Sequence, residues 1–175
     1  MGQWWVCLRQ LNWVWGLLAI SGCQGTSPHG TSVQVQRVLS GQTVEIVTHQ
    51  GREQLRLIGI EAPDVRQYPW GRDARQQLAA WVESQPVVLE FDVEPRDRFH
   101  RRLVYVWRSG QLVNEQLVAQ GYALVVPRSP NTQYDQRLAR AQERARILGL
   151  GIWNPQQPMR QTPAEFRRQL PSQYK

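Results

Sequence analysis

Three apolar stretches joined by short glycine-containing turns constrain this chain more than any other feature. Val33, Val35 and Leu39 set up a first strand with Gln34 and Gln36 between them, and Ser40-Gly41-Gln42 turns the chain. Thr43 to Thr48 alternates around Val44, Ile46 and Val47, His49-Gln50-Gly51 turns it again, and Gln54 to Ile60 is a third, largely apolar run. A two-residue period is that of a strand with one buried face, and turns this short join antiparallel neighbours. The segment therefore reads as a three-stranded meander.

Pro63 and Pro69 then bracket an irregular loop containing Asp64, Arg66 and Tyr68. Ala74, Leu78, Trp81 and Val82 fall at helical spacing, which predicts an amphipathic helix from about Trp70 to Glu83, ended by Pro86. Val87, Leu89 and Phe91 alternate as a fourth strand. A charged loop, Glu94 to Arg102, leads to a fifth through Leu103, Tyr105 and Trp107. A short helix around Leu112 to Gln120 closes at Gly121, and a last one, Tyr134 to Leu148, carries Leu138, Ala141, Ala145 and Leu148 as its apolar stripe. Five strands with an interposed helix predict an α+β, mainly β fold: a five-stranded OB-type Greek-key barrel with about three helices. The expected domain covers 33–153, and 154–175 reads as a proline-rich tail that wraps the surface or hangs loose.

The first 22 residues hold one charge, Arg9, and an apolar stretch from Leu11 to Ile20. That stretch is shorter than the roughly 20 residues of a membrane-spanning helix and has the length of a signal-peptide core. It ends in Ile20-Ser21-Gly22-Cys23, which resembles a bacterial lipobox with Cys23 as the lipidated residue. An ordinary signal peptide cut near Gly22 or Gly25 is the other reading. Residues 1–22 are thus expected to be a lipoprotein-type signal peptide and 23–32 a flexible tether. The expected location is the cell envelope, through a lipid anchor in the membrane, or outside the cell if Cys23 carries no lipid. Cys7 and Cys23 both precede the domain, so neither a disulfide framework nor a Cys/His zinc spacing is available to it. No oligomer signal or protein partner is visible, and a monomer is expected.

The formal net charge is +7, and Lys175 is the only lysine. Net positive charge favours polyanionic partners, nucleic acid or an anionic membrane surface, without choosing between them, and arginine leans towards phosphate because the planar guanidinium fork binds two oxygens at once. Four features carry candidate chemistry. Arg56 sits inside the apolar run Leu55 to Ile60, where a buried cation needs a counter-charge, for which Glu61 and Glu45 are in reach. Glu61 and Asp64 bracket Ala62-Pro63 as a corner suited to a hard cation. Asp97 to Arg102 holds three arginines, and Ser40 to Thr43 makes a tight turn. Taken together they fit one reaction. Phosphodiester hydrolysis needs positive charge on the equatorial oxygens, a base for water and an in-line nucleophile.

Four ordered segments then resemble the staphylococcal-nuclease (thermonuclease) family over about Val33 to Trp153. Arg56-Leu57-Ile58-Gly59-Ile60-Glu61-Ala62-Pro63-Asp64 looks like its R-L-x-x-[IV]-D-[TA]-P-E run, and Asp97-Arg98-Phe99-His100-Arg101-Arg102-Leu103 like D-[KR]-Y-G-R-x-L. Val113 to Gly121 is similar to its [LV]-N-x-x-L-V-x-x-G helix, and Gly149 to Trp153 to its closing G-x-W. The resemblance implies calcium-assisted hydrolysis of DNA and RNA leaving 3′-phosphate ends. It implies that Arg56 and Arg101 stabilise the transition state and that Asp64 orients or deprotonates water. Glu61, the main-chain carbonyl of Ala62, and Gln42 occupy its Ca2+-ligand positions. Arg98 and Phe99 are the expected substrate contacts.

The chain departs from the pattern at the same corner. Gln42 and Ser40 stand where the family's D-G-D-T turn has aspartates, Glu61 is one methylene longer than usual, and Asp64 one shorter. His100 replaces glycine and Phe99 replaces tyrosine. Calcium affinity follows ligand charge, so it is expected to fall. The alternative reading is a catalytically silent OB-fold module that binds nucleic acid or protein at the envelope.

Overall fold

Valine- and leucine-rich alternation places the strands close to where the pattern predicts them in the computed structural model, which describes residues 30–171, except that the third expected strand breaks at an Ile58-Gly59 turn, so that Ile60 belongs to a separate short strand. The leader, the candidate lipidation residue Cys23 and residues 172–175 lie outside the described residues. Strands β1 (Thr31–Ser40), β2 (Thr43–Thr48) and β3 (Gly51–Leu57) form the antiparallel meander. The short β4 (Ile60–Glu61) follows, then helix α1 (Trp70–Val82), β5 (Pro86–Glu90) and β6 (Arg102–Arg108). Next come β7 (Gln111–Leu112), α2 (Val113–Ala119), β8 (Leu124–Val125) and α3 (Asp135–Ile147). A single 3-10 turn at Gly151–Trp153 leads to α4 (Pro163–Gln169).

β1 pairs with β5 as well as β2, β5 pairs with β6, and β6 returns to pair parallel with β3. This last pairing closes five strands, β1, β2, β3, β5 and β6, into the expected OB-type barrel. Val35, Val44, Leu55, Leu57, Leu89 and Val104 fill its interior with 1% exposure or less. Each such burial contributes about 1.5–3 kcal/mol. A second cluster of Ile58, Leu103, Tyr105, Trp107 and Leu112 packs outside, with Tyr134 edge-on to Tyr105 at 4.7 Å.

Asn114 ties α2 to the barrel. Fully buried, it accepts a hydrogen bond from Val106 N–H (3.0 Å) and donates one to the Ile58 carbonyl (2.9 Å). It thereby fixes the turn just after β3 by satisfying two buried backbone groups.

Three further expectations are corrected. Register shifts in β1 between Val35 and Arg37 and between Val38 and Ser40 turn Val38 inward, so Val38 is buried in place of Leu39. Leu148 follows the end of α3 and is 56% exposed, so it does not belong to the stripe. α3 is also not the last helix. The tail holds α4, a fourth, capped by a reciprocal Thr162–Glu165 box with Pro163 in its first turn.

Candidate active site

The end of β3 carries the first cation inward. Arg56 is 8% exposed, and its guanidinium donates from Nη1 to the Leu57 carbonyl (2.8 Å) and from Nη2 to the Ile60 carbonyl (2.7 Å). Backbone oxygens hold the head group, and Glu61 adds favourable charge from nearby. Neither Glu61 nor Glu45 clasps it directly; Glu45 is bridged to Arg37 and Arg52 instead. Burial, then the repulsion of Arg101 and Arg128, pushes the Arg56 pKa down to about 9, so it stays charged at neutral pH.

Arg101 ends the charged loop just before β6. Asp97 accepts from Arg101 Nε (2.8 Å) and pairs with Nη2 (2.7 Å), while its other oxygen accepts the Phe99 and Arg101 backbone N–H groups. The loop folds around this one carboxylate, and His100 at its tip adopts φ +62°, the conformation glycine favours. Burial opposes ionisation of Asp97, but the bonds from Arg101 and Phe99 win and hold it below the usual carboxylate range. Phe99 is 62% exposed, with Arg98 4.8 Å and Arg101 5.3 Å from its ring centre. The β3–β6 pairing sets Arg56 opposite Leu103, which brings the two loops to the same end of the barrel.

Asp64 lies on the loop between β4 and α1. Gly71 allows α1 to start against this loop, because a Cβ there would fall 1.7 Å from the Asp64 carbonyl oxygen. The Asp64 carboxylate accepts from Arg66 Nε (2.8 Å), Nη2 (2.9 Å) and backbone N–H (3.0 Å). The Arg66 side chain therefore pulls its pKa below the ordinary value against the opposing effect of burial. Asp64 is thus an anion at neutral pH and a weak base, better suited to orienting water than to stripping it of a proton.

Gln42 closes the corner. Its side-chain oxygen accepts the Ala62 N–H at 2.6 Å, and its backbone carbonyl accepts the Leu57 N–H at 3.0 Å. Ser40 Oγ accepts the Gln42 N–H at 3.4 Å. Glu61 on β4 is ion-paired with Arg167 of α4. Every site residue expected from the sequence within the described residues, Gln42, Arg56, Glu61, Ala62, Asp64, Arg98, Phe99 and Arg101, lines one open pocket of about 810 Å³.

Sequence reasoning missed Arg66 as a partner of Asp64, and Arg128, Arg167 and Arg168 as further walls of this pocket. For Arg167 and Arg168 the signal was present in Thr162-Pro163-Ala164-Glu165, a helix-start pattern that places both arginines on one short helix. As arranged here the corner does not fit a divalent cation. Arg167 engages Glu61, Arg66 engages both oxygens of Asp64, and Gln42 Oε1 is turned onto an N–H. Among the described residues no three His, Cys, Asp or Glu side chains gather as a metal cluster.

A family model described as "Staphylococcal nuclease homologue" matches residues 54–155. The chain belongs to the staphylococcal nuclease family. Within that family it is 35% identical over 127 residues to "Thermonuclease" of Staphylococcus hyicus, covering 69% of this chain and 75% of that protein. It is 33% identical over 133 residues to "Thermonuclease" of Staphylococcus intermedius, covering 73% and 79%. "Endonuclease YncB" of Bacillus subtilis (strain 168) is 28% identical over 130 residues, covering 70% and 62%. Arg56, Glu61, Asp64 and Arg101 fall inside the family match, whereas Gln42 and α4 lie outside it.

Proposed function

We propose that this member of the staphylococcal nuclease family hydrolyses phosphodiester bonds of both DNA and RNA at the barrel-end pocket. The observation that carries the reading is the convergence of Arg56, Arg101 and Asp64 on one open, arginine-lined cavity. A polynucleotide phosphate entering it meets two guanidinium groups held by different means, one by backbone carbonyls and one by Asp97. As water attacks phosphorus in line, charge grows on the non-bridging oxygens, where fixed cations stabilise it more than in the ground state. Asp64 accepts a hydrogen bond from the attacking water and orients it. The water gives up a proton to solvent as its oxygen bonds to phosphorus, and the 5′ oxygen leaves with its bonding electrons and takes a proton from solvent, so the phosphate remains on the 3′ side. Phe99 offers an exposed ring beside Arg98 for stacking a base, which is tolerant of sequence and of sugar.

We also propose export and anchoring through Cys23, on the strength of the apolar leader ending in Ile20-Ser21-Gly22-Cys23. Labelling with a fatty-acid analogue should mark the chain and fail on Cys23→Ser; equal labelling of both would refute the anchor.

The nuclease reading is tested by release of acid-soluble nucleotide from single-stranded DNA and from RNA. Arg56→Lys and Arg101→Lys should each lower kcat by roughly 10²–10³-fold, the cost of losing one preorganised donor to developing charge. Asp64→Asn should abolish turnover and keep binding. The closed Gln42–Ala62 contact favours a second reading, a silent module that binds nucleic acid without cutting it. Salt-sensitive binding by the parent with no hydrolysis would establish that module and refute the enzyme.

A further inference from the structure

The tail is built into the pocket. Met159 N–H donates to the Ile152 carbonyl (2.9 Å), and the Gln67 side chain donates to the Gln161 carbonyl (2.7 Å). Gln67 belongs to the loop that carries Asp64, so one segment positions both the water-orienting acid and the tail. Pro163 is buried, the Thr162–Glu165 box starts α4, and the helix then presents Arg167 to Glu61 and Arg168 to the cavity wall. Glu61 is the carboxylate at the position where the family resemblance implies a cation. Its side chain is 17% exposed, and Arg167 takes it up.

We propose that Arg167 of α4 holds the cation position of this site, so that its guanidinium and a divalent cation compete for Glu61. Two like charges cannot share one carboxylate at contact distance without strong repulsion in a half-buried site. Gln42 contributes to the same outcome, since a neutral amide closed onto the Ala62 N–H offers no charge to retain a cation against the guanidinium. The tail thereby sets how much divalent cation the corner accepts. α4 lies beyond the residues that the family model matches. Its meaning for catalysis rests on the nuclease reading, but the competition itself does not.

The test is therefore a binding measurement. Calcium chloride is titrated calorimetrically into the whole mature chain, into Arg167→Ala and into Arg168→Ala, whose arginine lines the same wall. Competition predicts that Arg167→Ala tightens calcium binding by about tenfold or more, within the usual range of site-to-site coupling, while Arg168→Ala changes it by less than about threefold. Adding Glu61→Gln to Arg167→Ala should cancel the gain. In the parent, saturating calcium should speed amide hydrogen exchange across α4, which reads release of the helix without any substitution. Equal calcium affinity in parent and Arg167→Ala, no binding by either at tens of millimolar, or unchanged protection of α4 in the calcium-bound parent would each overturn the proposal. A chain that shows the competition but cuts no nucleic acid would refute the enzyme and leave the competition standing.

Discussion

Replacing Asn114 by alanine removes a side chain on which two buried backbone groups depend. Val106 N–H loses its acceptor and the Ile58 carbonyl its donor, at a site with no exposure. Each orphaned group costs about 1–3 kcal/mol, and the small void left behind adds to it, so the expected destabilisation is about 3–5 kcal/mol. In urea, with a slope of about 2 kcal/mol per molar for a domain of this size, the midpoint should fall by roughly 1.5–2.5 M. The assay is equilibrium unfolding followed by tryptophan fluorescence and by far-ultraviolet circular dichroism, whose transitions should coincide. Asn114→Asp keeps an acceptor for Val106 N–H but offers no amide donor to Ile58, so it should also destabilise. A loss below about 1 kcal/mol for Asn114→Ala, with an unchanged slope, would refute the claim that this amide is what secures the turn behind Arg56.

Other expectations follow from single contacts. Gly71→Ala should cost at least the ~3 kcal/mol upper end of overpacking, because its Cβ would strike the Asp64 backbone, and nucleotide release should fall with it; urea midpoints and the hydrolysis assay check both. His100→Gly removes a left-handed strain of about 1–2 kcal/mol and adds chain entropy of about 0.5–1 kcal/mol, so stability should stay level or rise by up to about 1.5 kcal/mol; a clear loss in melting temperature would count against it. Asp64, Asp97 and Glu165 have depressed pKa values, so each contributes stability that is full above the ordinary carboxylate range near 4 and is lost as pH falls through the folded value. Asp135, raised by burial and then by Asp92, works in the opposite sense. The urea midpoint should therefore drop on acidification below about pH 4, and Asp97→Asn should flatten that drop; an unchanged pH slope would refute the assignment to Asp97.

The barrel was legible because its strands announce themselves locally: Val44 and Ile46, or Leu103 and Tyr105, alternate within a few residues and need no distant information. The inward turn of Val38 was not, since a bulge is a matter of register against β2 and leaves no composition signal. At the site, Arg56 stood out as a cation in an apolar run, and its neighbours followed from the ordered motifs. What holds it did not follow. The direct carboxylate partner expected in Glu61 or Glu45 is replaced by hydrogen bonds to the Leu57 and Ile60 carbonyls, which have no sequence signature, and Glu61 acts only as charge from nearby. Gln42 read as standing at a Ca2+-ligand position, and the fold closes its amide oxygen onto the Ala62 N–H. Arg167 is 106 residues from Glu61, and pairs that far apart are invisible to periodicity.

The parallel pairing of β3 with β6 also determines when the chain becomes dangerous. Arg56 and Arg101 belong to segments that meet only when those two strands close the barrel, with α1 and β5 lying between them in the chain. A half-folded polypeptide whose β6 has not yet paired with β3 carries every reactive group and no assembled centre. The assembled centre therefore needs the closed ring, and parting that seam parts the two arginines.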